Sequence, residues 1–444
     1  MTDGFRWHPE ARLFAEAGRE VRPSPAPAAA TGAVLPDSAE GLAEAIGLPA
    51  FRIGALGEPA PQCADKPILE TLTSGSTGTP RRIRRTQTSW IASFAVNAGF
   101  GIGPGARVAV LGPLVQSLAL YAAVEGLHLG AEVRLMNLRR PDQSGRLLSA
   151  RRITHLYATP AQLRFLVETG TSWPDLAQVL VGGAKLDAAL RVAVQRLAPG
   201  AQVTEFYGAA ETSFVTLTDA ATPEGSVGRA YPGVEISVDL AGAIWVKSPY
   251  LFLSYANEIQ PPVGKALASP PVGTGEDEGP LARVPPIQTL THIVPVPSTP
   301  LQAPRGGSEA PDATGSALWR DGWLSVGEVG RREAGYLYLH GRAGRMVTVA
   351  DHNVFPEEIE ALMHGMPGIL RAAVVPVPDT RRGHVLVAMV MGDPALEATI
   401  LTGLRRELGA LKAPKALIWL SDWPLLPSGK TDLRALEAQA KWPV

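Results

Sequence analysis

From about residue 67 to residue 246 the chain alternates short apolar runs with stretches of helical spacing. No other feature restricts its fold as much. Arg107–Leu111, Glu132–Leu135, His155–Ala158 and Gln178–Val181 read as buried strands. Ser117–Leu129, Pro160–Glu168 and Leu186–Leu197 lie between or after them with apolar residues at helical intervals. Strand and helix in alternation predict a largely parallel sheet covered on both faces. Val227–Tyr255 changes to short strands and Gly turns, which suit a small β unit. After Asp321 the pattern turns to α+β: a helix opening at Pro356, strands at Ala372–Pro378 and His384–Met391, and a helix over Thr399–Leu408. The first 65 residues or so are weakly patterned, apart from a helix over Ser38–Ile46 with Ser38 as its N-cap.

The chain is rich in Gly (46) and Pro (40), yet 45% of its residues are apolar, so the excess belongs in loops and inserts. The clearest case is the stretch 257–317, whose segment Pro261–Pro311 holds twelve prolines and reads as an exposed loop extension. Forty-one basic residues against 42 acidic ones give no reason to expect nucleic acid as a partner. One cysteine, Cys63, excludes an internal disulfide framework. No signal-peptide pattern and no uninterrupted apolar span is present, which predicts a cytoplasmic chain without a membrane span. The eight histidines never take metal-ligand spacing; His128 and His155 read as packed core residues, and His352 alone stays of interest. Gly101–Ala106 fits a loose dinucleotide fingerprint, but it precedes a strand instead of following one and is a turn.

Chemistry concentrates in a few segments. Thr73-Ser-Gly-Ser-Thr-Gly-Thr-Pro80 follows the apolar Ile68–Leu72 and leads into Arg81, Arg82, Arg84 and Arg85. Hydroxyls and Gly amides on such a loop can surround phosphate oxygens, and neighbouring guanidinium groups favour that charge. The loop lacks the Gly-Lys-Ser/Thr ending of a Walker A motif. Further along stand Gly182-Gly183-Ala184, Tyr207-Gly208-Ala-Ala-Glu211, Gly225–Arg229, Pro249–Tyr255, Asp321–Glu328, Gly341-Arg342 with Pro356–Glu360, and Pro427-Ser-Gly-Lys430.

In this order and spacing the segments resemble the adenylate-forming superfamily of acyl-CoA synthetases, adenylation domains and luciferases. The resemblance covers residues 67–255 and 318–436. It implies a large N-terminal domain (1–341) of layered α/β sheets with a small β subdomain and a truncated N-terminal region. A small mobile α+β lid (342–444) would follow. It also implies that a carboxylic acid attacks ATP to give an acyl-adenylate, which then passes to the thiol of CoA or of a carrier protein's phosphopantetheine. Thr73, Ser74, Gly75, Ser76, Thr77, Gly78 and Arg81 would hold phosphates. Gly183, Ala184, Tyr207 and Gly208 would hold adenine, Glu211 Mg²⁺, Glu328 ribose, and Arg342 the nucleotide near a hinge at Gly344. Lys430 would stabilise the adenylation transition state.

Several residues depart from the family pattern. Ala210 replaces a usual threonine, Glu328 an aspartate, and Asp351 a glycine beside the thiol tunnel, which bears on the second half-reaction. These leave open a degenerate member that binds nucleotide or a partner protein without turnover. Gly112–Ser117 lacks the aspartate that amino-acid-activating relatives use for the ammonium group, which disfavours amino acids. The shortness before the phosphate loop resembles compact ligases of aryl-polyene pathways, which implies a hydroxybenzoate- or cinnamate-like acid.

Overall fold

The computed structural model describes residues 3–24, 32–73, 81–136, 141–256, 317–350, 352–380, 382–426 and 431–440. The first strands are β1 (Arg12–Phe14), β2 (Glu20–Val21) and β3 (Ala33–Leu35), followed by helix α1 (Ala39–Ala45). The hydroxyl of Ser38 caps α1 by accepting from the Gly41 amide at 3.1 Å. Then come β4 (Ala50–Ile53), β5 (Ile68–Leu72), β6 (Arg82–Thr86) and α2 (Gln87–Asn97). The central α/β run is β7 (Arg107–Leu111), α3 (Ser117–Leu129), β8 (Glu132–Met136), α4 (Pro141–Ala150) and β9 (His155–Ala158). It continues through α5 (Pro160–Val167), β10 (Gln178–Val181), α6 (Ala188–Leu197), β11 (Gln202–Ala209) and β12 (Ser213–Leu217).

The next strands are short: β13 (Arg229–Ala230), β14 (Glu235–Val238), β15 (Ile244–Lys247), β16 (Ser254–Tyr255), β17 (Leu318–Arg320) and β18 (Trp323–Ser325). Two longer ones, β19 (Glu328–Glu333) and β20 (Tyr336–Arg342), lead into the C-terminal part. That part holds the hairpin β21 (Val347–Val349) and β22 (His352–Val354), α7 (Pro356–His364), β23 (Ile369–Asp379) and β24 (Gly383–Gly392). It closes with α8 (Glu397–Lys412), β25 (Ala416–Trp419) and α9 (Leu433–Gln439).

The principal sheet runs in the order β19-β20-β13-β12-β11-β10-β9-β7-β8-β1-β2, and it is parallel from β11 to β1. Alternation along its strands divides the core. Val108, Val110, Tyr157 and Leu180 point into one cluster with α1, α2 and α3, while Ala109, Leu111, Leu156, Val179 and Val181 point into another under α4, α5 and α6. Both faces are therefore covered, as the strand and helix alternation requires. A second sheet, β16-β6-β5-β4-β3, packs on the first cluster, and β14-β15-β18-β17 form a third. The three-stranded β23-β24-β25 has its own core with α7, α8 and α9 on its two faces.

The expectation of a weakly patterned N-terminus is corrected here. β1 pairs parallel with β8 and β3 parallel with β4, so this stretch supplies strands to both sheets. Strands of two or three residues are too short for a period to show. The stretch 257–316, read from the sequence as an exposed loop extension, lies outside the described residues. His128 and His155 are buried as read, and Gly101 and Gly105 take positive φ in the turn before β7. No helix among the described residues is long and apolar enough to cross a membrane.

Candidate functional site

β5 and β6 form an antiparallel pair whose connecting loop carries the Ser/Thr/Gly segment. The Thr73 amide donates to the Arg81 carbonyl at 2.8 Å, and the Arg81 amide donates to Thr73 Oγ1 at 3.0 Å, so the neck of that loop is closed. Ser74, Gly75, Ser76, Thr77 and Gly78 lie outside the described residues.

The basic run after the loop does not act as one cluster. Alternation along β6 sends Arg82 and Arg84 to one face and Ile83 and Arg85 to the other. Arg84 pairs with the fully buried Glu70 at 2.8 Å and Arg82 with Glu58 at 2.5 Å, while Arg52 of β4 reaches both carboxylates. A carboxylate with no solvent exposure needs cations such as Arg84 and Arg52, and Arg82 is held by Glu58, so Arg82 and Arg84 are engaged by carboxylates of the chain and not by phosphate. Arg81 stays beside the loop, with its guanidinium 4.8 Å from the centre of the Tyr255 ring.

The second component is the tight connection from β11 to β12. A side chain at Gly208 would put its Cβ 1.8 Å from the Ser213 carbonyl oxygen, so only glycine fits there. Ser213 itself sits at φ +56°, a left-handed conformation rare outside glycine. Between them, Glu211 accepts the Tyr255 hydroxyl on Oε1 at 2.9 Å and the Phe252 amide on its carbonyl at 2.8 Å. Burial, then the nearby Glu211 charge, pushes the Tyr255 phenol up, which keeps it a neutral donor. Glu211, Tyr255, Arg81 and Thr73 thus form one contiguous group. Among the described residues no three His, Cys, Asp or Glu side chains cluster as a metal cage. A single carboxylate completed by phosphate oxygens is a normal environment for Mg²⁺, and Glu211 fits that donor set.

The third component gathers Tyr207, Glu328 and Arg342. Glu328 opens β19 directly across from Arg342 at the end of β20, and the two side chains approach at 3.6 Å. The Tyr207 hydroxyl donates to the same Glu328 carboxylate. Burial and the Glu328 charge drive the Tyr207 phenol far above its ordinary range. Gly182 follows β10 and packs against the Phe206 ring, where a Cβ would come within 2.3 Å, and the exposed Gly183 and Ala184 follow it. Gly183, Ala184, Tyr207, Gly208 and Glu211 all lie at or beyond the carboxyl ends of β10 and β11, where the parallel part of the sheet gives way to antiparallel pairing. In α/β sheets ligands collect at such a crevice.

Gly344 lies in the 3-10 turn Ala343–Arg345 between β20 and β21, and the Arg342 amide donates to Glu357 of α7 at 3.4 Å. Asp351 and Lys430 lie outside the described residues. The ends of the lysine segment are nonetheless tied: Leu425 bridges Thr431, and Trp423 Nε1 donates to Thr431 Oγ1 at 3.1 Å.

Two side chains important to this geometry were not singled out from the sequence. Tyr255 holds the Glu211 carboxylate, and fully buried Arg85 donates to the carbonyls of Ala210 and Glu211. The signal for Arg85 was its place one residue out of phase with Arg82 and Arg84.

The chain is similar along most of its length to known proteins. It is 28% identical over 393 residues to an uncharacterized acyl–CoA ligase, YhfT, of Bacillus subtilis, a match covering 85% of this chain and 69% of that protein. It is also 28% identical over 404 residues to a sulfoacetate–CoA ligase of Cupriavidus necator, covering 86% and 69%. The fold matches that of ATP-bound MatB from Rhodopseudomonas palustris with a TM-score of 0.62 at 21% identity, covering 90% of this chain and 72% of that one. The model of the AMP-binding enzyme family matches residues 12–256, and that of the AMP-binding enzyme C-terminal domain matches residues 358–430. With more than half of its length matched, the chain belongs to the AMP-binding enzyme family.

Proposed function

We propose that the protein is an AMP-forming acid–thiol ligase that activates a carboxylic acid with ATP and transfers the acyl group to a thiol. The observation that carries this reading is the pairing of Glu328 with Arg342 at the end of β19 and β20, with the Tyr207 hydroxyl on the same carboxylate. On this reading Glu328 would offer a carboxylate to ribose hydroxyls and Arg342 a guanidinium to phosphate, beside Tyr207.

In the first half-reaction a carboxylate oxygen of the acid attacks the α-phosphorus. The bond to the bridging oxygen breaks, and pyrophosphate leaves. Thr73 and Arg81, with Ser74, Gly75, Ser76, Thr77 and Gly78, hold the phosphates. Bound Mg²⁺ neutralises triphosphate charge, and Glu211 is its protein ligand. Tyr207, Gly208, Gly183 and Ala184 frame the adenine. Lys430 places a compact charge between the acid carboxylate and the α-phosphate, where negative charge develops.

In the second half-reaction residues 342–444 turn about Gly344. A thiolate then attacks the acyl carbon, and the bond to AMP breaks. The acceptor is CoA or the phosphopantetheine arm of an acyl carrier protein, and the resemblance implies that Asp351 would border its path. The relatives named as acid–CoA ligases support a CoA-type thiol. The substrate class is an aryl or acyl acid, not an amino acid, because Gly112–Ser117 offers no carboxylate to an ammonium group.

Exchange of labelled pyrophosphate into ATP over a panel of carboxylic acids tests this function. Exchange with at least one acid is expected, and the Lys430→Ala variant should lose it by roughly 10²-fold or more while keeping nucleotide binding. Exchange at the wild-type rate in that variant would remove Lys430 from the mechanism. No exchange with any acid would favour a nucleotide-binding protein without turnover.

A further inference from the structure

Arg85 is a charged side chain without solvent exposure and without a carboxylate in ion-pair distance among the described residues. All its recorded partners are neutral. Nη1 donates to Ser213 Oγ at 2.6 Å, and Nη2 donates to the Ala210 carbonyl at 2.9 Å and to the Glu211 carbonyl at 3.4 Å. The guanidinium lies 5.3 Å from the centre of the Trp90 ring, and Nε is buried with no hydrogen-bond partner. A guanidinium remains a cation at neutral pH even in this buried setting, and the nearby Glu211 charge favours it.

A buried cation that meets only neutral acceptors is costly to the folded chain. A purely structural need for donors would be met at less cost by a neutral side chain. The three groups it binds are instead those that shape the turn carrying Glu211. Two are inward-facing carbonyls of that turn, and the third is the hydroxyl of Ser213, whose left-handed backbone is intrinsically unfavourable. The fork also joins β6, which leaves the Ser/Thr/Gly loop, to the β11–β12 connection. It therefore couples the two segments that flank a bound triphosphate.

We propose that Arg85 is a positioning residue for magnesium–nucleotide binding, fixing the Ala210–Ser213 turn so that the Glu211 carboxylate is presented beside Tyr255 and Arg81. This rests on the reading of Glu211 as the magnesium ligand. Arg85 touches no reacting atom; it acts through the turn. Its charge, hydrogen-bonded to no carboxylate among the described residues although the Glu211 side chain lies near enough to favour it, also adjoins a segment where Ala210 provides no hydroxyl. A lysine supplies the charge but not the planar fork, and a methionine supplies only the volume.

Isothermal titration calorimetry of ATP into the full chain, once with Mg²⁺ and once with EDTA, tests the assignment. The wild type is expected to bind ATP more tightly with Mg²⁺. In Arg85→Met that gain should fall about tenfold, the usual scale for losing charge-assisted hydrogen bonds, with affinity in EDTA nearly unchanged. Arg85→Lys should recover part of the gain. A full magnesium gain in both variants would overturn the role of Arg85 while leaving the nucleotide site intact. If Arg85→Met fails to fold by circular dichroism, a full gain in Arg85→Lys overturns it alone, since lysine cannot bridge the three acceptors. A wild type that binds no ATP in either buffer sinks the nucleotide-site reading itself, and this assignment with it.

Discussion

Glu125 is a carboxylate with no solvent exposure at the centre of the larger core cluster, on the inner face of α3. Tyr157 donates to one of its oxygens at 2.6 Å, and Asn97 and Tyr121 donate to the other at 2.9 and 3.1 Å. Tyr231 extends the network by donating to Asn97 Oδ1 at 2.7 Å. Burial raises the Glu125 carboxyl from 4.5 to about 7 against the opposing effect of these hydrogen bonds. Its folded pKa exceeds its unfolded one, so the fold holds an extra proton between those values, and stability falls as pH climbs through that window. Glu125→Gln does not titrate. Relative to the wild type it should therefore gain about 2.5 kcal/mol between pH 5 and pH 8, read from urea unfolding at the two pH values. An equal difference at both pH values would show that the carboxyl is ionised in the fold throughout. Nothing in the sequence Ser117–Leu129 marked this residue, since one glutamate in an apolar helix looks the same whether it faces water or a ring of phenols. Tyr207 and Glu328 were legible only through the spacing of whole segments. Their direct hydrogen bond is a product of the fold.

Elements with a strong period were legible. The four strands β7 to β10, helices α3 and α5, and the Ser38 cap stand where apolar spacing and capping chemistry put them. Helix α2 was not, because it follows the arginine-rich β6 directly and begins with polar Gln87, Thr88 and Ser89, two of which are buried. Gln87 is fully buried, accepting the Phe5 amide at 2.7 Å and donating to the carbonyls of Leu48 and Ile68. A long-range polar anchor of this kind leaves no periodic trace. The connection from β11 to β12 shows the opposite case, where one glycine decides an element. Gly208→Ala would press a Cβ against the Ser213 carbonyl at 1.8 Å, and backbone on both sides leaves little room to relax. The variant should lose more than about 3 kcal/mol of stability, measured by thermal unfolding. A melting temperature unchanged from the wild type would mean that the two strands separate at no cost.

At the scale of the molecule, the Pro-rich stretch 257–316 divides the third sheet between its β15 and β17 strands. Phe252 before it and Trp319 after it stack with ring centres 6.0 Å apart, and Phe252 shares a buried cluster with Leu324. The two flanks are thus held together by the fold. Replacing residues 260–313 with a short Gly/Ser linker is expected to keep pyrophosphate exchange within about twofold, because shortening a closed loop changes its entropy only slowly with length. A loss of exchange in a variant that melts normally would give this stretch a part in the site. The margin of the principal sheet carries a different consequence. Without β1, strand β8 would present five residues of unpaired amides and carbonyls on an apolar border, a ready template for cross-chain zippering. The β1–β2 hairpin instead ends the sheet on a two-residue strand bearing the Arg12–Glu20 ion pair. So brief and charged a selvedge gives another copy almost nothing to knit onto at this border of the sheet.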